Sequence, residues 1–329
     1  SRVGAAAAGL TLFAGCGGGG GGSSTPPSTI TQPKSIYVTN NTSSAITIYP
    51  LASTGNAAPS GVISGAATEL NRPDGIAIDS SGNLYVVNDA TTPAVLVFSA
   101  ASVAGVLAGG SGNIAPVRVI EGAATTLSTP EGIAVSSTSI YVANFGAGDV
   151  CVFPLSANGN VPPTATITTG SSMLPTAVAV DASNWAANSV TTAALYNFAV
   201  PPTSGEAPTD TISGSAPLTD PQGIAFDSTG RYAVANYQSP PGVLIFAGSA
   251  NGAALPVVDL TGATTQLANP LAIAFDASQN IYVADQNGGG GGNAGILVFA
   301  AGATGDVAPK AVISGSLTQL NAPQGIALY

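Results

Sequence analysis

The stretch Pro73-Asp74-Gly75-Ile76-Ala77-Ile78-Asp79 decides the fold of this chain, because the sequence contains six copies of it. The copies share the proline, a Gly or Ala two places later, an aliphatic residue and an alanine. The other five lie at residues 130–136, 175–181, 221–227, 270–276 and 323–329. Self-similarity at a pitch of roughly 50 residues predicts a repeat architecture.

Each repeat contains four short runs with the character of β-strands. Strand a is the motif itself, strand b is typified by Leu84-Tyr85-Val86-Val87-Asn88, strand c by Ala94-Val95-Leu96-Val97-Phe98, and strand d by Val62-Ile63-Ser64-Gly65. Short runs rich in β-branched and aromatic residues, separated by Gly and Asn, predict antiparallel meanders and no helix. Four strands per repeat at this pitch is the blade of a β-propeller.

The two ends of the repeat region predict how the ring closes. The first unit starts with a b run at residues 35–40 and has no a run, whereas residues 325–329 form an a run without a following b run. The C-terminal strand is therefore expected to pair with the N-terminal blade. This closes an all-β, six-bladed propeller over residues 35–329 and removes the open sheet edges.

The repeated motif resembles the blade signature of the NHL-repeat propellers, Pro-x-Gly-Ile-Ala-Val-Asp followed by Tyr-Val-Ala-Asp/Asn. Blade 4 departs from it, since the stretch from Asp181 to Asn188 is two residues shorter than its counterpart in blade 2, and blade 5 has Ala233 where other blades have Tyr. We therefore expect irregular b strands in these two blades.

The N-terminal residues resemble a bacterial lipoprotein signal. An apolar run leads to Leu12-Phe13-Ala14-Gly15-Cys16, which is similar to a lipobox although its leucine is displaced by one place. We expect a signal remnant over 1–16 with lipidation at Cys16, a Gly/Ser/Thr/Pro tether over 17–34, and the propeller over 35–329. The alternative is a Gly-rich tail with an incidental cysteine.

A lipid anchor implies a place in the bacterial cell envelope, outside the cytoplasm. Gly17, rather than Asp, follows the cysteine, which favours the outer membrane or the cell surface. The lipid is then the only contact with the membrane that we expect.

Composition excludes several classes of function. The net charge is −10 with only 6 Lys and Arg, so the chain has no basic footprint for nucleic acid. It contains no His, which removes the commonest general base and metal ligand. We expect a monomer without a cofactor.

Two rings of side chains are expected on the face where the d–a and b–c loops meet. One ring follows the proline of each motif: Asp74, Glu131, Thr176, Gln222, Leu271 and Gln324. The other ends each b run: Asn40, Asn88, Asn144, Asn188, Asn236 and Asp285. The second ring has two interpretations, turn-forming residues or ligand contacts. The first ring varies between blades, as a binding site would.

The main hypothesis is a non-enzymatic binding scaffold for a protein or small-molecule partner in the envelope. Asp74 and Glu131 lie in adjacent blades, and their carboxylates suit Ca²⁺ or another divalent cation. The alternative is therefore a metal-dependent hydrolase or lactonase, similar to gluconolactonase-like propellers, which bind a metal through Glu, Asp and Asn. The streptogramin lyases and peptide-amidating lyases that resemble NHL propellers use His, which this chain lacks.

Overall fold

The computed structural model describes residues 35–168, 173–238 and 240–329. Within these ranges, strands β1 to β24 form six four-stranded antiparallel sheets arranged as the blades of a propeller. The predicted fold class and blade count are confirmed. The predictions for residues 1–34, including lipidation of Cys16, lie outside the described residues.

The strands of each blade, in the order a to d from the channel outward, have the following bounds. Blade 1 contains β24 (Pro323–Leu328), β1 (Ser35–Asn40), β2 (Ala45–Pro50) and β3 (Gly61–Ile63); blade 2 contains β4 (Pro73–Ile78), β5 (Leu84–Asn88), β6 (Ala94–Phe98) and β7 (Arg118–Glu121); blade 3 contains β8 (Pro130–Val135), β9 (Ser139–Asn144), β10 (Asp149–Pro154) and β11 (Ala165–Ile167). Blade 4 contains β12 (Val178–Val180), β13 (Asn184–Ser189), β14 (Ala194–Ala199) and β15 (Asp210–Ile212); blade 5 contains β16 (Pro221–Phe226), β17 (Tyr232–Asn236), β18 (Gly242–Phe246) and β19 (Val258–Thr261); blade 6 contains β20 (Pro270–Phe275), β21 (Ile281–Asp285), β22 (Gly295–Phe299) and β23 (Ala311–Ser314).

The ring closes as the sequence predicts. Strand β24 pairs antiparallel with β1, with Ile36 opposite Leu328 and Tyr37 opposite Ala327. At the end of this pair the Ser35 N–H donates to the Tyr329 carbonyl at 2.6 Å. Both ends of the described chain therefore meet on one face of the propeller.

The six a strands line the channel, and the small residue of the motif lets them approach closely. A Cβ placed on Gly75 would lie 2.5 Å from the carbonyl oxygen of Glu131 in the next blade, and one on Gly132 would lie 2.7 Å from the Cα of Ala177. Adjacent strands thus meet backbone to backbone, which explains why the motif has Gly or Ala at this place.

The hydrophobic core lies between neighbouring blades rather than at the centre of the ring. Trp185, which is fully buried, stacks on Phe198 of its own blade at 4.1 Å and packs against Tyr141 of blade 3 at 5.7 Å. Each blade contributes a similar buried layer to the interface with the next. Burial of this apolar area holds the ring together.

The c–d turns reach the preceding blade, a contact that the sequence does not reveal. The Asn113 side chain accepts a hydrogen bond from the Ala67 N–H at 2.8 Å, and the Asn160 side chain accepts one from the Ala124 N–H at 2.7 Å. The side chains of Asn56 and Asp306 accept the equivalent bonds from the N–H groups of Leu317 and Thr264 in the preceding blades. These carboxamide and carboxylate groups cap the turn that follows a d strand.

Two expectations about secondary structure are wrong. Residues Ala100–Leu107 form an α-helix, α1, because Ser99 caps its N-terminus and Val103 and Val106 are buried against blade 1. The b strands of blades 4 and 5 are regular and buried; the irregular strand of blade 4 is its a strand, β12, which starts only at Val178. No helix among the described residues is long and apolar enough to cross a membrane.

Candidate functional site

The ring of residues after the prolines surrounds one end of the channel, and we call it the polar mouth. Its six side chains, all half-buried, line a cavity of about 90 Å³. The members are those predicted, namely Asp74, Glu131, Thr176, Gln222, Leu271 and Gln324. The structure therefore brings the whole variable ring together in one place.

A break in strand pairing directs these side chains into the channel. The pairing of strands a and b shifts register between Pro73 and Ile76 in blade 2 and between Pro130 and Gly132 in blade 3, so the residue after the proline has no cross-strand partner. Blades 5, 6 and 1 have the same irregularity. A β-bulge of this kind re-aims a side chain, and here it is repeated around the ring.

Carboxyl groups are concentrated on one side of the polar mouth. Burial raises the pKa of Asp74 well above its usual range, and the neighbouring Glu131 and Asp89 carboxylates raise it further. Burial, followed by the charge of Asp89, raises the pKa of Glu131 to about 7. Arg72, which forms an ion pair with Asp89 at 2.7 Å, opposes the shift of Asp74. These carboxyl groups therefore hold protons more tightly than free carboxyl groups do.

The acidic side of the mouth was also the predicted metal site. Asp74 and Glu131 both line the cavity, and the side-chain oxygens of Gln222 and Gln324 are the other donors there. Within the described ranges, no group of three or more His, Cys, Asp or Glu side chains is arranged to hold a metal ion. Any cation here would have to use amide, backbone or water oxygens in addition to the two carboxylates.

The second predicted ring supports the loops beside the mouth. In five blades the Asn or Asp side-chain oxygen accepts hydrogen bonds from backbone N–H groups of the d–a segment that precedes the proline. In blade 4, Asn188 instead accepts from Thr176 and Ala177, which follow the proline. No member of the ring is more than 4% exposed. Asn236 accepts from Thr219 and Asp220, each at 3.0 Å, and donates to the carbonyl groups of Gln238 and Pro240, each at 3.2 Å. The ring positions the d–a segments, and its atoms point into the protein.

Asn188 shows how the second ring also joins blades. Its Nδ2 donates to the Gln222 carbonyl of the next blade at 3.2 Å, while Thr176 Oγ1 donates to the same carbonyl at 2.9 Å. At the equivalent junction, Thr39 Oγ1 donates to the Asp74 carbonyl. The backbone of two mouth residues is thus fixed by hydrogen bonds from a neighbouring blade.

A second depression continues the polar mouth over blades 3 to 5, and we call it the loop groove. It has a volume of about 420 Å³ and shares Glu131, Thr176 and Gln222 with the mouth. Phe145 and Gln238, from b–c loops, extend its wall. The motif analysis missed these residues because the b–c loops differ in length and sequence between blades.

The opposite end of the channel is wider, and its ring of channel-facing side chains is apolar with a polar rim. Its cavity of about 440 Å³, which we call the apolar chamber, is lined by the fifth residue after each motif proline: Ile78, Val135, Val180, Phe226, Phe275 and Leu328. Aliphatic residues such as Ile133 and Ile224 line both cavities and lie between them. The two ends of one channel therefore differ in chemistry.

Comparison with solved structures shows the same propeller architecture in proteins of very different sequence. A chain of the nidogen/laminin complex matches with 14% identity and a TM-score of 0.60, over 90% of this chain and 98% of that one. A protein of unknown function from Bacteroides caccae matches with 11% identity and a TM-score of 0.59, over 90% and 99%. The WD40 propeller domain of Doa1 matches with 12% identity and a TM-score of 0.51, over 74% and 69%.

No protein-family model matches the sequence, and no curated protein matches it significantly. The structural matches have too little sequence identity to transfer a function, because one fold carries many functions. The chain is similar to these proteins in its β-propeller fold.

Proposed function

We propose that this chain is a lipid-anchored, extracytoplasmic propeller of NHL-like type that acts as a binding scaffold through its polar mouth and loop groove. The observation that carries the proposal is the polar mouth itself. Six blades direct side chains of five residue types, all but Leu271 polar, into one place on an otherwise regular ring, and five of the six a strands are bulged there. The repeated fold does not require this variation in residue type.

The placement of the termini supports a display role. Ser35 and Tyr329 pair at the end of the ring where Leu328 lines the apolar chamber, opposite the polar mouth. A tether that reaches Ser35 therefore joins the propeller on the face away from the mouth.

The small volume of the mouth favours a macromolecular partner, which would also contact the surface around the cavity. Ligand pockets usually have about 300 to 1,000 Å³, and a water molecule occupies about 30 Å³ in the liquid. A cavity of about 90 Å³ accepts one polar side chain or a hydrated ion but no larger substrate. The adjoining loop groove supplies the remaining contact area. The structurally similar chain from the nidogen/laminin complex belongs to a protein assembly, which is compatible with this role.

The first experiment is a pull-down from envelope extracts with the full chain, followed by cross-linking and mass spectrometry. We expect a partner whose cross-links cluster around the loop groove and which the Glu131→Ala/Gln222→Ala double variant no longer retains. Phe275→Leu, at the opposite end of the channel, is the matched control and should retain it. A partner retained equally by both variants, or none above the background of beads, would contradict the proposal.

Lipidation has its own test. The chain and its Cys16→Ser variant would be labelled in cells with an alkyne fatty acid and then fractionated. We expect label and membrane association for the chain and neither for the variant. Equal labelling of both would exclude Cys16 as the site of lipidation.

The metal-dependent hydrolase or lactonase is the second candidate, and it is favoured by the adjacent Asp74 and Glu131 carboxyls. Both must lose their protons to bind a cation, so binding would release protons and strengthen with pH. A thermal-shift titration with Ca²⁺, Mg²⁺, Mn²⁺ and Zn²⁺ tests it, because a ligand of the folded state raises its stability. A shift that Asp74→Ala abolishes would support this candidate and justify a screen of lactones and esters. The absence of any shift would refute it.

A further inference from the structure

The apolar chamber contains a complete ring of hydrophobic side chains that no other part of the described chain covers. The fifth residue after the proline is Ile, Val, Val, Phe, Phe and Leu in blades 2 to 6 and 1, and each of these residues is half-buried. At about 440 Å³ the chamber has the volume of a small-molecule site, whereas the polar mouth has not.

Two aromatic side chains lie on one side of the chamber and make that side favourable for a cation. Phe226 and Phe275 come from the adjacent blades 5 and 6, and Phe226 packs against Tyr232 at 5.2 Å. Aromatic ring faces attract cations within about 6 Å of the ring centroid. The other four residues of the ring are aliphatic and bind only apolar groups.

The rim of the chamber is negatively charged. Asp181 and Asp227 line it, and Asp79 and Asp276 occupy the equivalent a–b turns of other blades. Burial alone would raise the pKa of Asp276, but hydrogen bonds from Asn280 and Ser278 outweigh burial and lower it. Against the same opposing effect of burial, hydrogen bonds likewise lower the pKa of Asp79 and Asp227.

The one positive charge within the described a–b turns is already paired. Arg231 is the one Lys or Arg within the a–b turns that the structure describes, and its Nε donates to Asp227 at 2.6 Å. Asp181 has no such cation beside it; its Oδ1 accepts from the N–H groups of Ser183 and Asn184, each at 2.7 Å. An apolar chamber with an unbalanced anionic rim is complementary to a molecule that is apolar and positively charged.

We propose that the apolar chamber binds a small organic cation, an ammonium group carried on an aromatic or branched alkyl body. The body lies among the aliphatic residues and against Phe226 and Phe275, and the charge lies toward Asp181. This site is independent of the polar mouth and of the function proposed for it, because the two cavities are at opposite ends of the channel.

The test compares three probes of similar size on the full chain: benzyltrimethylammonium, benzyl alcohol and benzenesulfonate. Isothermal titration calorimetry and saturation-transfer NMR would measure the affinity of each. We expect the cation to bind at least about tenfold more tightly than the sulfonate, and its affinity to fall as salt is raised. Equal affinities for the three probes, or no binding of the cation, would overturn the proposal.

Three variants locate the bound probe. Phe226→Leu/Phe275→Leu retains an apolar lining but removes the aromatic faces, and we expect it to weaken cation binding about fivefold to tenfold. Asp181→Asn removes one rim charge and should weaken binding about threefold without touching the core. Gln222→Ala, at the polar mouth, is the control and should leave it unchanged. Undiminished binding to both chamber variants would refute this location.

Discussion

Two rings of residues lie on the same face of the propeller, and they differ in both sequence and environment. The ring at the ends of the b strands is Asn five times and Asp once, is buried, and makes hydrogen bonds to backbone in every blade. The ring after the prolines has five residue types in six blades and is half-buried. Positions with the same or a closely similar residue in every blade hold side chains that the fold requires. Positions that vary between blades hold side chains whose identity the fold does not constrain.

The largest effect is expected from removing a member of the repeated ring. Asn236→Ala removes a buried side chain that bonds two backbone N–H groups and two backbone carbonyls of the adjoining loops. These loop residues are exposed or half-buried, so water replaces part of each lost bond, and a bond of this kind contributes about 0.5 to 1.5 kcal/mol. We expect the free energy of unfolding to fall by about 3 kcal/mol, measured by urea titration.

The matched control for this variant is Gln222→Ala in the variable ring. Its Nε2 makes one side-chain bond, to Asp220 at 2.7 Å, and the side chain is half exposed. We expect a loss below about 1 kcal/mol. Similar decreases in the free energy of unfolding for both variants would show that the two rings have the same structural role and would contradict the distinction drawn between them.

Gly75→Ala tests the close approach that places the variable ring. Its Cβ would lie 2.5 Å from the Glu131 carbonyl oxygen, so strands β4 and β8 must separate. Overpacking of this kind costs about 1 to 3 kcal/mol. Gly105→Ala is the control, because it lies in helix α1 with open space at its Cβ and should be neutral or stabilising. Chemical denaturation of both variants measures the difference, and an unchanged stability of Gly75→Ala would contradict the tight packing.

The repeat made the number of blades and the closure of the ring predictable. The motif occurs six times, and the lone b run at Ser35 is completed by the lone a run at Gly325. The place of Asp74 and Glu131 at the mouth followed from the same count. Local patterns repeated in one chain carry this information without any knowledge of long-range contacts.

Contacts between blades were not predictable, because their partners lie far apart in the sequence. The cap from Asn113 to Ala67 spans 46 residues, and the bond from Asn188 to the Gln222 carbonyl spans 34. Helix α1 was not predicted, because the repeat pattern indicates strands only. A structural role in turns was one of two interpretations of the Asn ring, and its backbone partners around each proline favour that role.

The acidic side of the mouth gives a dependence of stability on pH. The pKa of Glu131 is raised from 4.5 to about 7, so the folded protein binds its proton more tightly than the unfolded chain. Stability is then expected to fall as pH rises from about 4.5 to about 7 and to level off above that range. Across this range, ionisation of Glu131 should lower the free energy of unfolding by an amount on the order of 2 kcal/mol, and Glu131→Gln should abolish that decrease. Asp74 and Asp89 shift in the same direction, so a shallower slope remains in the variant. Parallel curves for the two proteins, from urea titrations across this pH range, would contradict the prediction.

The smallest effect on stability is expected where we place the function. Gln324→Ala and Leu271→Ala remove mouth side chains that are half exposed and lie beside bulges, so each should change the free energy of unfolding by less than about 1 kcal/mol. Retention of the partner found by pull-down should nevertheless decrease, more for loss of the polar Gln324 side chain than for loss of the apolar Leu271 side chain. Binding that falls only in proportion to lost stability would mean that the mouth merely holds its strands in place. A loss of binding without a loss of stability would separate the variable ring from the repeated one by experiment, as their sequences already separate them.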